Sequence, residues 1–378
     1  MNYQATYKPA RMVAAAIETH FKENLKTASL KDTGDVASIP SAQVIEAIID
    51  AAFWASLRKE EGNPPKISIA FLTPEQAGDP LLFEHRMPLT TGILTKLAPG
   101  LERAGIHLGV CLEDGELFIW GTTLKIPNLC FVLDVSEPGL LVIKHRRVCG
   151  FGKFSNVAVL KGDQVKIIDN KGTLLSDCPP LLKILLDLEA PGDWSDPINI
   201  LIQLAVSMRS HRHGGALLIV PDDTEAWRNS IIHPIQYSIS PAFSGLASLT
   251  RNSDLHGADR QSSLNREVDH LAGLTAVDGA TVINRRHELL AFGAKIARKR
   301  GNDDIGFISL IEPVQGGTVS VVHPGQIGGT RHLSAAQFVY DQRDALALVA
   351  SQDGHFTVFS WSDAAEMVAA YRIESLLL

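Results

Sequence analysis

Residues 198–221 read INILIQLAVSMRSHRHGGALLIVP. Up to His211 the apolar side chains fall at helical spacing, and the last turn carries cations where a helix dipole favours them. Gly214 and Gly215 then end the helix, and Ala216–Val220 run on without a polar break, as in a strand buried on both faces. A helix feeding a buried strand opens an α/β layer, so the fold class depends on whether the alternation continues. It does. LNREVDHLAGLT (264–275) reads as a helix, ATVINRRHELLAFGAKI (280–296) as a hairpin, DALALVAS (344–351) and HFTVFSW (355–361) as strands, and DAAEMVAAYRIESLLL (363–378) as a closing helix. The expectation for residues 195–378 is an α/β domain with a central mixed β-sheet flanked by helices.

Toward the N-terminus the pattern is different. Residues 9–26 and 41–59 read as helices, the second with Ser41 as N-cap and Val44, Ile45, Ile48, Ala52 and Phe53 near one face. KISIAFL (66–72) follows as a strand, IHLGVCLEDGELFIWG (106–121) as a hairpin turning at Asp114-Gly115, and LCFVLDV, GLLVIKH and NVAVLKGDQVKIID as further strands up to residue 169. This predicts a smaller α+β domain over residues 1–190. CPPLLKILLDLEAPGDWSDP (178–197) supplies a short apolar helix and then a Pro/Gly/Asp break at 191–197, where the domain boundary is placed. The sequence shows no internal repeat and no low-complexity tract.

The 378 residues are 45% hydrophobic and 20% charged, enough apolar material for two cores. A formal net charge of -7 gives no general attraction to nucleic acid or anionic membrane, so a phosphate ligand must be held by local groups. The apolar stretch in RMVAAAIETHF (11–21) stops at Glu18 and no run approaches bilayer length, which predicts no membrane association. Cys111, Cys130, Cys149 and Cys178 form no C-x-x-C pair and read as buried, reduced thiols of a cytoplasmic protein.

Two short segments carry chemistry. One is VDGA (277–280), between a predicted helix and a strand; the other is GGTRHLSAA (328–336). Asp-Gly alone is a common turn pair, and Asp114-Gly115 and Asp353-Gly354 are copies with no further meaning. GGTRH says more: glycines admit close backbone approach, N–H groups at a helix start receive anionic oxygens, and an arginine grips phosphate bidentately.

Taken together and in order, these segments resemble the diadenylate cyclase (DAC) domain of the cyclases that make cyclic di-AMP. The resemblance also takes in LAVSMRSHRHGGALLIVPDD, LNREVDHLAGLTAVDGATVI, ELLAFGAKI and RDALALVASQDGHFTVFS, and covers about residues 195–365. It implies condensation of two ATP, or of another nucleoside triphosphate, with release of pyrophosphate. It also implies Mg2+ or Mn2+ at Asp278, with Asp278, Arg331 and His332 as catalytic residues. Nucleotide contacts are implied for Gly279, Ala280, Ile296, Gly329, Thr330, Ser351 and Gln352. Because one site holds one triphosphate, the resemblance implies at least a homodimer. The N-terminal domain resembles the probable sensor domains fused ahead of DAC domains, with a plain dimerisation module as the alternative.

The chain departs from the family's pattern at several points. Leu333 stands where a second arginine follows Arg-His, Ser334 is an extra residue, and Gln352 follows Ser351 where acidic residues often stand. The segment between the motifs is long and contains the predicted hairpin GFISLIEPVQGGTVSVVH (306–323), preceded by the basic run Arg298, Lys299 and Arg300. That run reads as a solvated loop or, alternatively, as a substitute for the missing arginine. Two functions stay open: an active nucleotidyl cyclase, or a degenerate DAC-like domain that binds a nucleotide as a sensor. No DNA-binding module is expected. His211 and His213, two residues apart at a helix end, are read as a basic C-terminus whose rings do not share a face. KHRRVCGFGK (144–153) reads as an exposed turn. Asp254, His256 and Asp259 are left unassigned.

Overall fold

The computed structural model describes residues 5–29, 36–147, 154–169, 178–186, 188, 197–251 and 258–378. Its contacts divide the chain into two compact units, residues 1–168 with Leu378, and residues 169–377. Both carry large mixed sheets with helices, the α/β class expected. Except for Pro197, the predicted break at 191–197 lies outside the described residues, as do Cys149, Asp254, His256 and residues 148–153 of the basic turn.

The first unit opens with α1 (Lys8–Ser29) and α2 (Ala42–Ser56). Ser41 caps α2, its side chain accepting the Val44 N–H at 3.4 Å. Next come β1 (Ile67–Phe71), β2 (Leu81–Pro88), α3 (Thr91–Leu97), β3 (His107–Glu113), β4 (Glu116–Thr123), β5 (Phe131–Glu137), β6 (Leu140–Arg146), β7 (Phe154–Lys161) and β8 (Gln164–Ile167). They form one sheet in the order β2-β4-β3-β1-β5-β6-β7-β8, in which only β1 and β3 run parallel. The β3–β4 hairpin turns at Asp114 (φ 46) and Gly115 (φ 79), the double left-handed geometry that Asp-Gly favours. Apolar faces of all three helices pack on the sheet through Val13, Ile17, Ile45, Ile48, Leu94, Ile69 and Leu133.

In the second unit, α4 (Pro180–Leu185) and α5 (Pro197–Ser210) pack on each other and precede β9 (Gly215–Val220), all six of whose residues are buried. Then follow β10 (Tyr237–Phe243), α6 (Gly245–Arg251), α7 (Ala258–Leu274), β11 (Ala280–Asn284), β12 (Leu289–Ala294), β13 (Ile308–Ile311), β14 (Ser320–Val322), α8 (Thr330–Asp341), β15 (Leu346–Ala350), β16 (Phe356–Ser362) and β17 (Met367–Arg372). The sheet order is β10-β12-β11-β9-β15-β16-β17-β13-β14, with β9/β11 and β13/β17 parallel. Helix α8 packs on one face through Ala335, Ala336, Phe338 and Val339. The predicted hairpin at 306–323 is present as β13–β14, joined in register Ile308 to Val322.

The expected helix over 363–378 is not formed. Met367–Arg372 is strand β17, paired along β16, and only Glu374–Leu376 make a short 3-10 turn. Glu366 sits at φ 49, ending the turn out of β16, and Val368 and Ala370 are buried against the α8 side of the core. Alanine-rich composition favours helix locally, and burial of a two-sided strand overrides it.

The units share a topology that the sequence does not show as a repeat. The order β2-β4-β3-β1-β5-β6-β7 matches β10-β12-β11-β9-β15-β16-β17 strand for strand, including the single parallel pair beside the middle strand. Two helices precede β1 as two precede β9, and α3 precedes β3 as α7 precedes β11. The second unit differs mainly by an insertion between β12 and β15 that contains β13, β14 and α8.

Candidate functional site

Helix α8 begins within the GGTRH segment, with Gly329 as its N-cap and Thr330 as its first residue. Gly328 is obligatory: a Cβ there would fall 2.2 Å from Nδ1 of His332. The helix start is flanked by two clefts that share Thr330 and Arg331.

The first cleft, about 240 Å³, brings Asp278, Gly279, Ala280 and Ile296 to Thr330 and Arg331. Asp278 stands just before β11, with its carboxylate exposed and ion-paired to Lys295, just beyond β12. The hydrogen bond from Lys295 holds the Asp278 carboxyl below the usual carboxylate range, Lys295's charge adds to this, and Arg331 contributes from across the cleft. A carboxyl held low is a poor proton acceptor near pH 7 but a good electrostatic or cation ligand. Gly279 adopts φ 111, and a Cβ on it would meet the Gly293 carbonyl carbon at 2.5 Å. Its glycine character is therefore explained by the β11–β12 crossing, before any ligand is considered.

The second cleft, about 380 Å³, contains Gly329, Thr330, Arg331, His332, Ser351 and Gln352. Asp353, His355 and Arg372 complete its charged lining. Nη1 of Arg331 lies 3.2 Å from where a Cβ on Gly214 would stand, over the junction of β9 and β15. His332 is only 3% exposed, with its ring edge-on to Phe359 at 6.1 Å. Burial pushes its pKa down to about 4, and the like charges of Arg372 and His355 add to that, so the imidazole is neutral near pH 7. Its Nε2 is buried without a hydrogen-bond partner, leaving one polar atom in the cleft for a ligand. The fixed cations beside the helix start are therefore Arg331 and, at the end of β17, Arg372, which donates to the Ile327 carbonyl at 3.4 Å. Sequence reading missed Arg372 because it assigned that segment to a helix. No local signal marked it, because only the folding of β17 beside the start of α8 brings Arg372 there.

The basic run does not reach either cleft. The Lys299 N–H is held by Asp341 at 2.8 Å, at the opposite end of α8 from Arg331, and Arg298 pairs with Asp304 at 3.1 Å. Twelve residues of helix place those ends roughly 16 Å apart. His211 and His213 differ from expectation. Their rings lie nearly parallel with centroids 5.8 Å apart, because Arg212 turns the chain at φ 58. Nδ1 of His211 accepts the His213 N–H at 3.1 Å and its Nε2 meets Thr275 Oγ1 at 3.2 Å, so neither nitrogen is left for a metal. At the described start of the 144–153 segment, Lys144 pairs with Asp134, Arg146 donates to the Ile126 carbonyl and Arg147 to the Phe154 carbonyl. Among the described residues, no three His, Cys, Asp or Glu side chains converge as a metal site, and no helix is long and apolar enough to cross a membrane.

The second unit is thus an α/β domain whose helix start, with an arginine, faces a carboxylate across a cleft. Residues 34–124 of the first unit, from before α2 through β4, match the family of the probable sensor domain DACNV, so the chain carries an N-terminal sensor domain of that type. No curated protein matches the chain.

Proposed function

We propose that the second unit is a nucleotidyltransferase of the diadenylate cyclase kind, condensing two ATP, or another nucleoside triphosphate, into cyclic di-AMP or a related cyclic dinucleotide. What supports this above all is the meeting of Asp278 and Arg331 across one cleft at the start of α8. In the reaction each 3′-hydroxyl oxygen bonds to the other nucleotide's α-phosphorus. The bond from that phosphorus to the bridging oxygen breaks, and pyrophosphate leaves. Arg331, the N–H groups of the helix start and Thr330 hold the phosphates, Arg372 adds charge from the adjoining cleft, and Nε2 of His332 supplies a neutral hydrogen-bonding atom. Ile296 and Ala280 offer an apolar wall to a base.

Mg2+ or Mn2+ fits only as part of a nucleotide complex. Asp278 is the one carboxylate in the first cleft, so phosphate oxygens and water supply the other ligands. Bound there, such an ion would polarise the phosphate under attack. For Asp278 to ligate it, Lys295 must move onto a phosphate.

A second reading, a degenerate domain that senses a nucleotide without turnover, is favoured by the Lys295 pair on Asp278 and by Leu333, which sits half-exposed on α8 without charge. Incubation with ATP and Mn2+, followed by chromatography, separates the two. A cyclic dinucleotide that disappears in Asp278→Asn, while ATP still binds, supports the first. Tight ATP binding with no product supports the second, and no triphosphate binding at all removes both.

A further inference from the structure

A further cavity of the second unit lies at the opposite end of its central strands. It holds about 510 Å³ and opens beyond the carboxyl ends of β9 and β11, whereas Asp278 and Arg331 stand at their amino ends. Its walls are apolar, built from Pro179 and Leu181 at α4, Leu201 of α5, Ile219 of β9 and Leu346 of β15. Ligands in open α/β sheets characteristically sit in such crevices, and the volume suits a small organic molecule.

The mouth carries two arginines. Arg285, just past β11, donates to the Asp344 carbonyl at 2.8 Å, and the guanidinium carbon of Arg343 lies over the Trp361 ring, 3.9 Å from its centroid. Among the described residues neither is ion-paired, so both guanidinium groups keep donors for an anion. Within the cavity, Ser360 is 5% exposed and its Oγ is buried without a hydrogen-bond partner. A buried hydroxyl left alone carries a desolvation cost that a ligand atom can relieve.

We propose that this cavity binds an amphipathic anion, its apolar body against Leu181, Leu201 and Ile219, its anionic head between Arg285 and Arg343, and a polar atom on Ser360. The site is separate from the phosphate clefts and stands whether or not the nucleotide reading holds. Neither cation-rich cleft offers a comparable apolar wall, which a bare phosphate would leave unused.

The test uses the full chain and 8-anilinonaphthalene-1-sulfonate, an apolar aromatic anion whose fluorescence rises on burial, with decanoate as competitor. Saturable one-to-one binding is expected, displaced by decanoate and unaffected by inorganic phosphate. The double change Arg285→Gln/Arg343→Gln is expected to weaken it at least tenfold. Leu346→Trp, which fills the cavity from its rim, is expected to abolish it while leaving the circular dichroism spectrum and melting curve in place. Probe binding that survives both variants, or the absence of binding in the folded wild-type chain, would overturn the proposal.

Discussion

At the residue scale, chemistry near α8 depends on how burial and neighbouring charge set each group. Asp278 is exposed and bound to Lys295, so Lys295→Met should raise its carboxyl pKa toward the ordinary range, read by carbon-detected NMR of the side-chain carboxyl. An unmoved titration would mean that Lys295 does not hold the carboxylate in solution. His332 behaves in the opposite sense to a phosphate-gripping cation. Its folded pKa of about 4 lies below the ordinary 6.5, so the unfolded chain binds a proton that the folded one refuses. Stability is then full above pH 6.5, falls as pH drops toward 4, and loses on the order of 3 kcal/mol across that window. His20 in the first unit, pushed to about 3 by burial and by His145, acts in the same direction. Denaturant unfolding between pH 7 and pH 4 checks this: His332→Gln should flatten the pH slope, and an unchanged slope would count against a buried neutral imidazole. Arg372 takes a position that sequence reading left empty. If the clefts hold ATP as proposed, Arg372→Ala should weaken its binding roughly tenfold, the scale of one charge-assisted contact, measured calorimetrically. An unaltered Kd would remove it from the site.

At the element scale, glycine positions and edge strands explain where sequence reading succeeded and failed. The buried strands β9, β11 and β15 were legible because short continuous apolar runs bounded by glycine, proline or polar residues have few alternatives. Strands β2 and β10 were not, because both are largely exposed edges that bury no clean face, and each contains a proline. They occupy the same edge of their respective sheets. Strand β17 was misread because its alanines satisfy helix propensity, and only pairing with β16 and packing under α8 make it a strand. Gly279 shows a structural demand inside a segment proposed to carry function. Gly279→Ala combines a left-handed φ of 111 with a contact of 2.5 Å to Gly293 backbone, and should cost about 2–3 kcal/mol, seen as a lowered melting temperature. Unchanged stability would show that the β11–β12 crossing relaxes easily.

At the scale of the whole molecule, one topology occurs twice with different equipment. The first unit has the helices and the seven-strand order but no counterpart, among its described residues, of the insertion bearing α8. The segment of the second unit that carries Thr330 and Arg331 is thus an addition to a shared framework, and the sensor match falls on the framework that lacks it. If the second unit joins two triphosphates, two copies of its cleft must meet, which requires at least a homodimer. Specific activity should then rise with protein concentration until the dimer saturates, in step with the mass seen by sedimentation. A concentration-independent rate from a monomer would exclude the two-faced reaction.

The sequence by itself determined the α/β alternation, the hairpin at Asp114-Gly115, the N-cap at Ser41, and the pair of motifs around Asp278 and Arg331. These are properties of local periodicity, turn geometry and residue chemistry, which act over a few residues. Tertiary structure alone decided that Asp278 and Arg331 share a cleft, that Arg372 rather than the run at 298–300 lines the adjoining cleft with Arg331, that His332 is neutral, and that both units repeat one strand order. Each of those depends on strands and helices far apart in sequence being brought together by burial, and desolvation and proximity of charge exist only once that burial has occurred.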